Sequence, residues 1–432
     1  MSTLAIKGGA PVRTKPFTAW PVWDETDEKA LLEVLRSGTW GITDNPNSPV
    51  RQFEREFSRA HQARFGQSVF NGTAALQTAL LAIGIDYGDE IIVPPYTFLA
   101  TASACLMVGA VPVFVDVDAG TYNLDPARIE EAITERTRAI IPVHIGGCPA
   151  DLDRILEIAR RHNLVVIEDA CQAHGAAWNG RRVGAIADLG CFSFQSSKNL
   201  NAGEGGMVLT DDQDLADRCW SVHNCGRVRE GAWYQHEVLG GNFRMTQWQA
   251  GILLAQMRNF EQQARVREEN GLYLSERLAE IGGFEPQQRS PQVTQHGYHL
   301  FISRYDRTAF HDVPREAFLS ALQAEGIPCA SGYKPLYSMK AIKDGIARLK
   351  RYVGDKDNDE SLPAGGLYRS GDLYRPCPVT ERACYEEGVW FFQTMLLGTK
   401  KDMDDIAEAI LKVKHNIDEV RAVGYTADER AA

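Results

Sequence analysis

A single lysine, Lys198, stands in the segment FQSSKNLNAGEGG (194–206), between the apolar stretches CFSF (191–194) and MVL (207–209). These stretches predict two buried strands, and the glycines leave space around the lysine. An amine held at a strand end can form a covalent bond with the carbonyl group of a cofactor or substrate. The segment therefore indicates amine chemistry, although a solvated turn lysine has the same local pattern.

Four further features supply the other parts of a pyridoxal phosphate (PLP) site. Asp169 ends the apolar stretch VVIED, where its charge can keep the pyridine nitrogen protonated. Gly72 and Thr73 precede a helical stretch, whose first N–H groups can bind a phosphate. Phe98 follows a strand-like stretch and can stack on a ring, and Ser193 lies five residues before the lysine. Each feature alone also fits a cap, a turn or a core position; their order at successive strand ends favours the site.

Alternating elements in the middle of the chain would position these residues. The strand-like segments are 89–95, 111–118, 139–145 and 164–170, and the helix-like segments are 98–110, 126–133 and 150–163. Asp125 and Pro126 predict the start of the second helix, as N-cap and first helical residue. This alternation predicts an α/β fold with a mostly parallel sheet, helices on both faces, and ligands beyond the carboxyl ends of the strands.

A smaller C-terminal α+β domain is expected to follow. Residues 245–281 predict one long helix, or two abutting helices, that connects it to the sheet domain. Its expected elements are a strand at 297–306 and helices at 314–326 and 401–420. We expect an exposed loop at 353–372 and frayed residues at 423–432. The predicted organisation is an N-terminal arm (1–25), a PLP-binding large domain (26–255), and a linking helix with the small domain (256–432).

Composition narrows the class of protein. The 432 residues carry a net charge of −11, which argues against nucleic acid or anionic membrane as the main partner. No apolar run approaches the length of a membrane span, and the N-terminal residues lack the apolar segment of a signal peptide. The nine cysteines include no CxxC pair, which predicts reduced thiols in a cytoplasmic protein and no metal site.

Seven motifs resemble the DegT/StrS-type sugar aminotransferases, a branch of the fold type I PLP enzymes. The resemblance extends from SGTWG (37–41) to the closing helix, and its motifs are NGTAAL, GDEIIVPPYTFLAT, GAVPVFVDVD, AIIPVH, VIEDACQAHGA, FSFQSSKNLNAGEGG and GGNFRMTQWQA. Several motifs in this order make a chance match improbable. The resemblance implies a fold type I large domain, PLP as cofactor, and amino transfer in two half-reactions.

The resemblance also implies roles for individual residues. Lys198 matches the lysine that carries the cofactor, and Asp169 matches the acid at the pyridine nitrogen. The other cofactor positions are Gln172 near the ring oxygen, Phe98 on the ring face, Gly72, Thr73 and Ser193 at the phosphate, and Asn242 from a second subunit. A homodimer with shared active sites follows from the last assignment. Ser197 and Asn201 depart from the residues of many relatives at these positions, which puts the donor or substrate pocket in doubt.

The resemblance leaves the substrate open. The donor is expected to be glutamate or glutamine, and the acceptor a keto sugar or keto-cyclitol. Segments 290–306 and 378–398 are similar to aminotransferases that act on scyllo-inosose and 2-deoxy-scyllo-inosose, which favours a cyclitol and aminoglycoside-type biosynthesis. Trp40, Tyr333 and Lys334 are the expected substrate residues, although the two aromatic rings fit a domain seam equally well.

Three alternatives remain: an aminotransferase for nucleotide-linked keto sugars, a lyase or dehydratase of the aminohydroxybenzoate synthase type, and a regulator without turnover. The presence of Lys198 and Asp169 disfavours the regulator. Relatives that dehydrate sugars carry histidine in place of the lysine, so Lys198 also disfavours dehydration.

Overall fold

The computed structural model describes residues 3–41, 43, 45–232, 234–353 and 376–421. Beyond Val353, the loop predicted at 353–372 lies outside these residues, as do the last ten residues of the chain. The described strands are β1 (Phe65–Val69), β2 (Glu90–Val93), β3 (Val111–Phe114), β4 (Thr137–Ile140), β5 (Val165–Asp169), β6 (Ala177–Trp178), β7 (Arg181–Arg182), β8 (Leu189–Ser193), β9 (Gly206–Thr210), β10 (Phe284–Pro286), β11 (Val293–Gln295), β12 (Leu300–Tyr305) and β13 (Gly388–Phe392). The described α-helices are α1 (Glu25–Ser37), α2 (Pro49–Ala60), α3 (Gly72–Ala82), α4 (Ala100–Met107), α5 (Leu152–His162), α6 (Gln213–His223), α7 (Gln247–Ile281), α8 (Arg315–Ala324), α9 (Lys340–Val353), α10 (Pro378–Arg382), α11 (Lys400–His415) and α12 (Ile417–Arg421).

A seven-stranded sheet in the order β1-β9-β8-β5-β4-β2-β3 is the largest of the described sheets. β9 is antiparallel to both of its neighbours, and the pairs from β8 to β3 are parallel. Neighbouring residues of β2 face opposite sides: Ile91 packs in the cluster that contains α3 and α4, and Ile92 packs in the cluster that contains α5. The predicted α/β fold with helices on both faces of a mostly parallel sheet is confirmed. Because β5 and β8 are parallel neighbours, their carboxyl ends lie side by side.

A three-stranded antiparallel sheet, β10-β12-β13, forms the centre of the C-terminal part. Phe301 of β12, Phe391 of β13, Phe318 of α8 and Ile406 of α11 share its core. Leu4 is fully buried in the same core, so the first described residues of the chain pack against the C-terminal part. A third small sheet contains β11, β6 and β7.

Two predicted helices differ in the structure. The prediction of an α-helix at 126–133 is wrong. The chain forms only two 3₁₀ turns there, Pro126–Arg128 and Glu130–Ala132. Asp125 still caps the first turn, but Ile133 is already extended, which leaves too few residues for a stable α-helix. The closing helix is broken between α11 and α12 at Asn416, whose side-chain amide donates to the Lys412 carbonyl at 2.8 Å.

The linking segment is one continuous helix, α7, and not two abutting ones. The predicted boundary between residues 255 and 256 falls inside this helix. The division into domains stays a prediction.

Candidate active site

Asp169 is the last residue of β5. It is buried and lies at the side of the sheet where the parallel strands have their carboxyl ends. The hydroxyl of Thr101, on α4, donates to Asp169 Oδ2 at 2.8 Å, and the Cys171 N–H donates to Oδ1 at 3.2 Å. The two bonds come from separate elements and leave little rotational freedom. The carboxylate is therefore held as an oriented acceptor.

Lys198 lies half-buried in the turn that follows β8, the strand next to β5. The side-chain amide of the next residue, Asn199, donates to the Gly297 carbonyl at 2.6 Å and anchors this turn. Removal from water lowers the pKa of the Lys198 amine, whereas nearby Cys171 and Asp169 act to raise it. The amine loses its proton more readily than a solvated lysine, as a nucleophile requires.

A cradle for an anion lies where α3 begins beside the end of β8. A Cβ atom on Gly72 would lie 2.6 Å from Ser193 Cβ and 3.2 Å from Cys171 Sγ, so only glycine fits here. Asn71 caps α3, and the N–H groups of Gly72 and Thr73 in its first turn have no acceptor within the helix. These donors together with the Ser193 hydroxyl fit a phosphate group.

Gln172 lies just after the carboxyl end of β5 and connects this region to Tyr333 in the C-terminal part of the chain. Its Oε1 accepts from the Gly146 N–H at 2.9 Å, and its Nε2 donates to the Tyr333 hydroxyl at 2.9 Å. The Tyr333 ring packs edge-on against Trp390, with centroids 4.5 Å apart. Burial raises the pKa of Tyr333, which keeps its hydroxyl protonated as a donor.

Phe98 and Lys334 are exposed and lie close in sequence to residues of the candidate site. Phe98 lies between β2 and α4, three residues before Thr101, and 58% of its surface is exposed. Lys334 is exposed and follows Tyr333 directly. The roles predicted for Phe98 and Lys334 stay predictions.

Trp40 and Asn242 have their described contacts elsewhere. The Trp40 ring lies 5.5 Å from Trp248, and its carbonyl accepts from the Gln247 N–H at the start of α7. Asn242 is exposed and pairs with Asn224 through an isolated β-bridge. The roles predicted for Trp40 and Asn242 stay predictions.

Sequence reasoning missed Thr101 and Gly146. The sequence signal for Thr101 is a second hydroxyl four residues after Thr97, which lies just before α4; the two hydroxyls are 3.2 Å apart. No local pattern pointed to Gly146, since its N–H meets Gln172 only through the packing of two loops.

Two other features, a metal-binding cluster and a membrane-spanning helix, are not found among the described residues. No group of three or more His, Cys, Asp or Glu side chains is arranged to hold a metal ion there. Within the same residues, every helix is too short or too polar to cross a membrane. All nine cysteines are free thiols.

The chain is similar to known proteins over nearly its whole length. The chain is 41% identical, over 97% of its length and all of the relative's, to a Streptoalloteichus tenebrarius protein with the provisional name L-glutamine:3-amino-2,3-dideoxy-scyllo-inosose aminotransferase. It is 38% identical, over 97% of its length and 99% of the relative's, to the L-glutamine:scyllo-inosose aminotransferase of Streptomyces griseus. The crystal structure of 3-amino-5-hydroxybenzoic acid synthase superposes with a TM-score of 0.81 at 32% identity, covering 94% of this chain and 100% of that one.

The family model of the DegT/DnrJ/EryC1/StrS aminotransferases matches residues 21–353. The chain therefore belongs to the DegT/DnrJ/EryC1/StrS aminotransferase family and is a PLP-dependent aminotransferase.

Proposed function

We propose that this enzyme transfers the amino group of L-glutamine to a keto-cyclitol of the scyllo-inosose type. The observation that carries the proposal is the identity of 38–41%, over nearly the whole chain, to two relatives that are named for this donor and for acceptors of this class. Fold alone would not support a substrate, because one fold serves many substrates. The polar and aromatic group around Tyr333 suits an uncharged polyol.

PLP, when bound, supplies an aldehyde that takes up the amino group and a pyridinium ring that withdraws electrons. In the proposed mechanism Lys198 would hold the cofactor through its amine, at the aldehyde group. As a free amine, Lys198 Nζ would accept and return the proton of the donor α-carbon. Asp169 holds the proton on the pyridine nitrogen, and Thr101 keeps its carboxylate in position.

The remaining side chains bind and orient in this proposal. The amides of Gly72 and Thr73 and the hydroxyl of Ser193 bind the phosphate, and Phe98 covers one face of the ring. Gln172 binds at the ring oxygen. Its bond to Gly146 fixes the direction of the amide, so its other end can position Tyr333 beside the acceptor. The substrate pocket also contains Lys334 and Trp40.

The active site is shared between two subunits in the proposed assembly, with Asn242 on the partner's phosphate. In a single chain Asn242 is exposed, and its loop carries three apolar residues that are 46–87% exposed: Tyr234, Val238 and Leu239. Exposed apolar residues at this density favour contact with another protein surface. A two-fold axis would place each loop at the other subunit's site.

Complementation tests the shared site. Co-expressed Lys198→Ala and Asn242→Ala chains form a mixed dimer in which one site carries both changes and the other carries neither. The intact site should restore up to about half of wild-type activity. The Asn242→Ala homodimer must first prove impaired; a mixed dimer no more active than the average of the two parents would contradict the shared site.

A panel of donors and acceptors tests the function. Purified enzyme is incubated with L-glutamine or L-glutamate and with scyllo-inosose, 2-deoxy-scyllo-inosose, 3-amino-2,3-dideoxy-scyllo-inosose or a nucleotide-linked keto sugar. Mass spectrometry of the products should detect an aminocyclitol that is absent with Lys198→Ala. Amination of the nucleotide-linked sugar alone would contradict the proposal, and so would formation of an aromatic amine of the 3-amino-5-hydroxybenzoate type.

A further inference from the structure

A buried arginine near the lysine turn lacks a counter-charge. Arg267, on α7, is fully buried, and its Nε and Nη2 donate to Gln393 Oε1 at 2.9 and 2.6 Å. Its Nη1 has no acceptor, and no described carboxylate lies within 4 Å of the guanidinium. A guanidinium stays charged in proteins, and a buried charge without a partner is costly. This position is therefore incomplete without an anion or solvent.

Arg315 shows what a completed site for a buried arginine looks like in the same molecule. It is 4% exposed, and its donors reach the Glu316 carboxylate and four backbone carbonyls, those of Ser331, Ala383, Cys384 and Gly388. The two arginines are buried alike but differ in their partners. Burial of arginine in this fold does not by itself leave donors unused.

Three further buried polar atoms that lack a partner in the described part of the chain belong to Gln393, which bonds Arg267, to its neighbour His299, and to Asn199 of the lysine turn. Gln393 Nε2, His299 Nδ1 and Asn199 Oδ1 are buried and have no partner among the described residues. Leu300 of β12 pairs with Phe392 of β13, so His299 and Gln393 are neighbours at the ends of the two strands. Buried polar atoms are almost always paired in native proteins. Such a group next to Lys198 indicates a bound occupant.

The charge around these atoms favours an anion over solvent alone. His299 lies near both Lys198 and Arg267; burial first, and then these positive charges, lower its pKa well below the usual range. The imidazole is therefore neutral and can donate through one nitrogen. Arg267 and Gln393 Nε2 add further donors, so the group offers more donors than acceptors.

The N-terminal arm covers this group. The Arg267 guanidinium lies 5.3 Å from the centre of the Trp20 ring, and Trp20 Nε1 donates to the Ser196 carbonyl at 2.9 Å. Arg13 anchors the same arm on α11 through Asp402, at 2.7 Å. A ligand that enters from this side must displace the half-buried Trp20 ring.

We infer that Arg267 binds the α-carboxylate of the amino donor, with Gln393 and His299 as supporting donors. The inference rests on the proposed function and extends it to the donor half-reaction. A carboxylate presents two oxygens in the plane that the guanidinium fork matches. An inosose acceptor has no anionic group, so a buried cation beside the lysine serves the donor and not the acceptor.

The test compares two donors and two arginines. Kinetics of the donor half-reaction are measured with L-glutamine and with its α-amide, which lacks the carboxylate charge, for wild type, Arg267→Gln and Arg315→Gln. Wild type should prefer glutamine over the amide, and Arg267→Gln should lose roughly ten- to a hundredfold of that preference. Arg315→Gln should keep the preference even if it lowers the thermal midpoint. The rate of the acceptor half-reaction should be close to that of wild type in Arg267→Gln.

Equal losses with glutamine and its amide in Arg267→Gln would overturn the inference and make Arg267 a structural residue. Acetate supplies a measurement without turnover: it should raise the thermal midpoint of wild type above a matched sodium chloride series, and not that of Arg267→Gln. Equal midpoints in the two proteins would also overturn the inference. If no ketone is aminated while the acetate effect still depends on Arg267, the acceptor proposal fails and the carboxylate site stands.

Discussion

Two buried charged groups flank the candidate site, and they differ in how completely they are paired. Glu168, the residue before Asp169, accepts four hydrogen bonds: from His144 Nε2 at 3.0 Å and from the N–H groups of Gly184, Ile186 and Ala187 at 2.7–2.8 Å. His144 Nδ1 in turn accepts from the Ala150 N–H at 3.0 Å, so its proton lies on Nε2. Arg267 and its neighbours leave several polar atoms unused.

The difference separates a scaffold from a binding site. The Glu168 group joins β5 to the loops that carry Gly146 and Gly184, and no capacity remains in it for a ligand. The Arg267 group is close to the lysine turn but incomplete. We therefore expect changes at Glu168 to act on stability, and changes around Lys198 to act on binding and turnover.

The largest change in turnover is expected from a substitution of Lys198, which belongs to the binding site and not to the scaffold around Glu168. Lys198→Ala should lower the rate of amino transfer by about a thousandfold or more, because no other amine replaces the proton carrier. The melting temperature should hardly change. Steady-state rates and thermal unfolding test this against Lys340→Ala, an exposed lysine elsewhere. Borohydride reduction of wild type should attach the cofactor to the peptide with Lys198, and label on a different lysine would refute the assignment.

Glu168→Gln tests the scaffold side. The change places an amide N–H₂ among groups that are all donors, and we expect a loss of about 3 kcal/mol in the free energy of unfolding. The KM for the donor should stay close to that of wild type. Urea unfolding followed by tryptophan fluorescence measures the loss. A stable variant with altered donor selectivity would erase the distinction between the two groups.

Asp169→Asn removes a charge but keeps the shape of the side chain. An amide can still accept from Thr101, so the fold should persist, while the pyridine nitrogen loses the group that keeps it protonated. We expect turnover to fall on the order of a hundredfold, with part of the cofactor retained. The turnover number and the cofactor absorbance are measured together. Near-normal turnover would mean that a different residue faces the nitrogen.

Gly72→Ala narrows the anion cradle by one methyl group. The added carbon would lie 2.6 Å from Ser193 Cβ, so either the first turn of α3 or the phosphate must shift. We expect cofactor affinity to fall by roughly tenfold. Equilibrium dialysis against PLP measures the change, and Gly41→Ala, where nothing lies within 4 Å of the added carbon, is the matched control. Unchanged affinity would exclude Gly72 from the phosphate site.

The smallest effect concerns pH. Burial alone would raise the pKa of Glu168, but the bonds from His144, Ala187 and Gly184 outweigh it and hold the pKa below its usual value. The unfolded chain then binds the proton more readily than the folded one. The contribution of Glu168 is therefore present above about pH 4.3 and is lost as the pH falls toward the lower folded value. The stability difference between wild type and Glu168→Gln should shrink across this window in urea titrations; a constant difference would contradict the linkage.

Local patterns in the sequence predicted the mostly parallel sheet and the helices that alternate with its strands. Apolar runs of strand length and the alternation with amphipathic helices identified β2 to β5, because such periodicity follows from burial of one or both faces. At 126–133 the sequence pattern gave a wrong prediction. Asp125 and Pro126 are typical of a helix start, but the segment that follows is too short for an α-helix. Asp169 and Gly72 could be identified because each lies where a predicted element ends or begins.

The sequence by itself determined the chemistry available to this protein: one lysine between two apolar strands, an acid at the end of another strand, and a glycine at the start of a helix. Only the tertiary structure decided which buried polar groups have all their hydrogen-bond partners and which have donors or acceptors without a partner. Arg267 and Arg315 are both arginines in helices, yet one meets a single amide oxygen 126 residues away and the other meets a carboxylate and four carbonyls. That distinction depends on which distant elements pack together, because a hydrogen bond requires both partners within about 3 Å, and no local pattern specifies that distance.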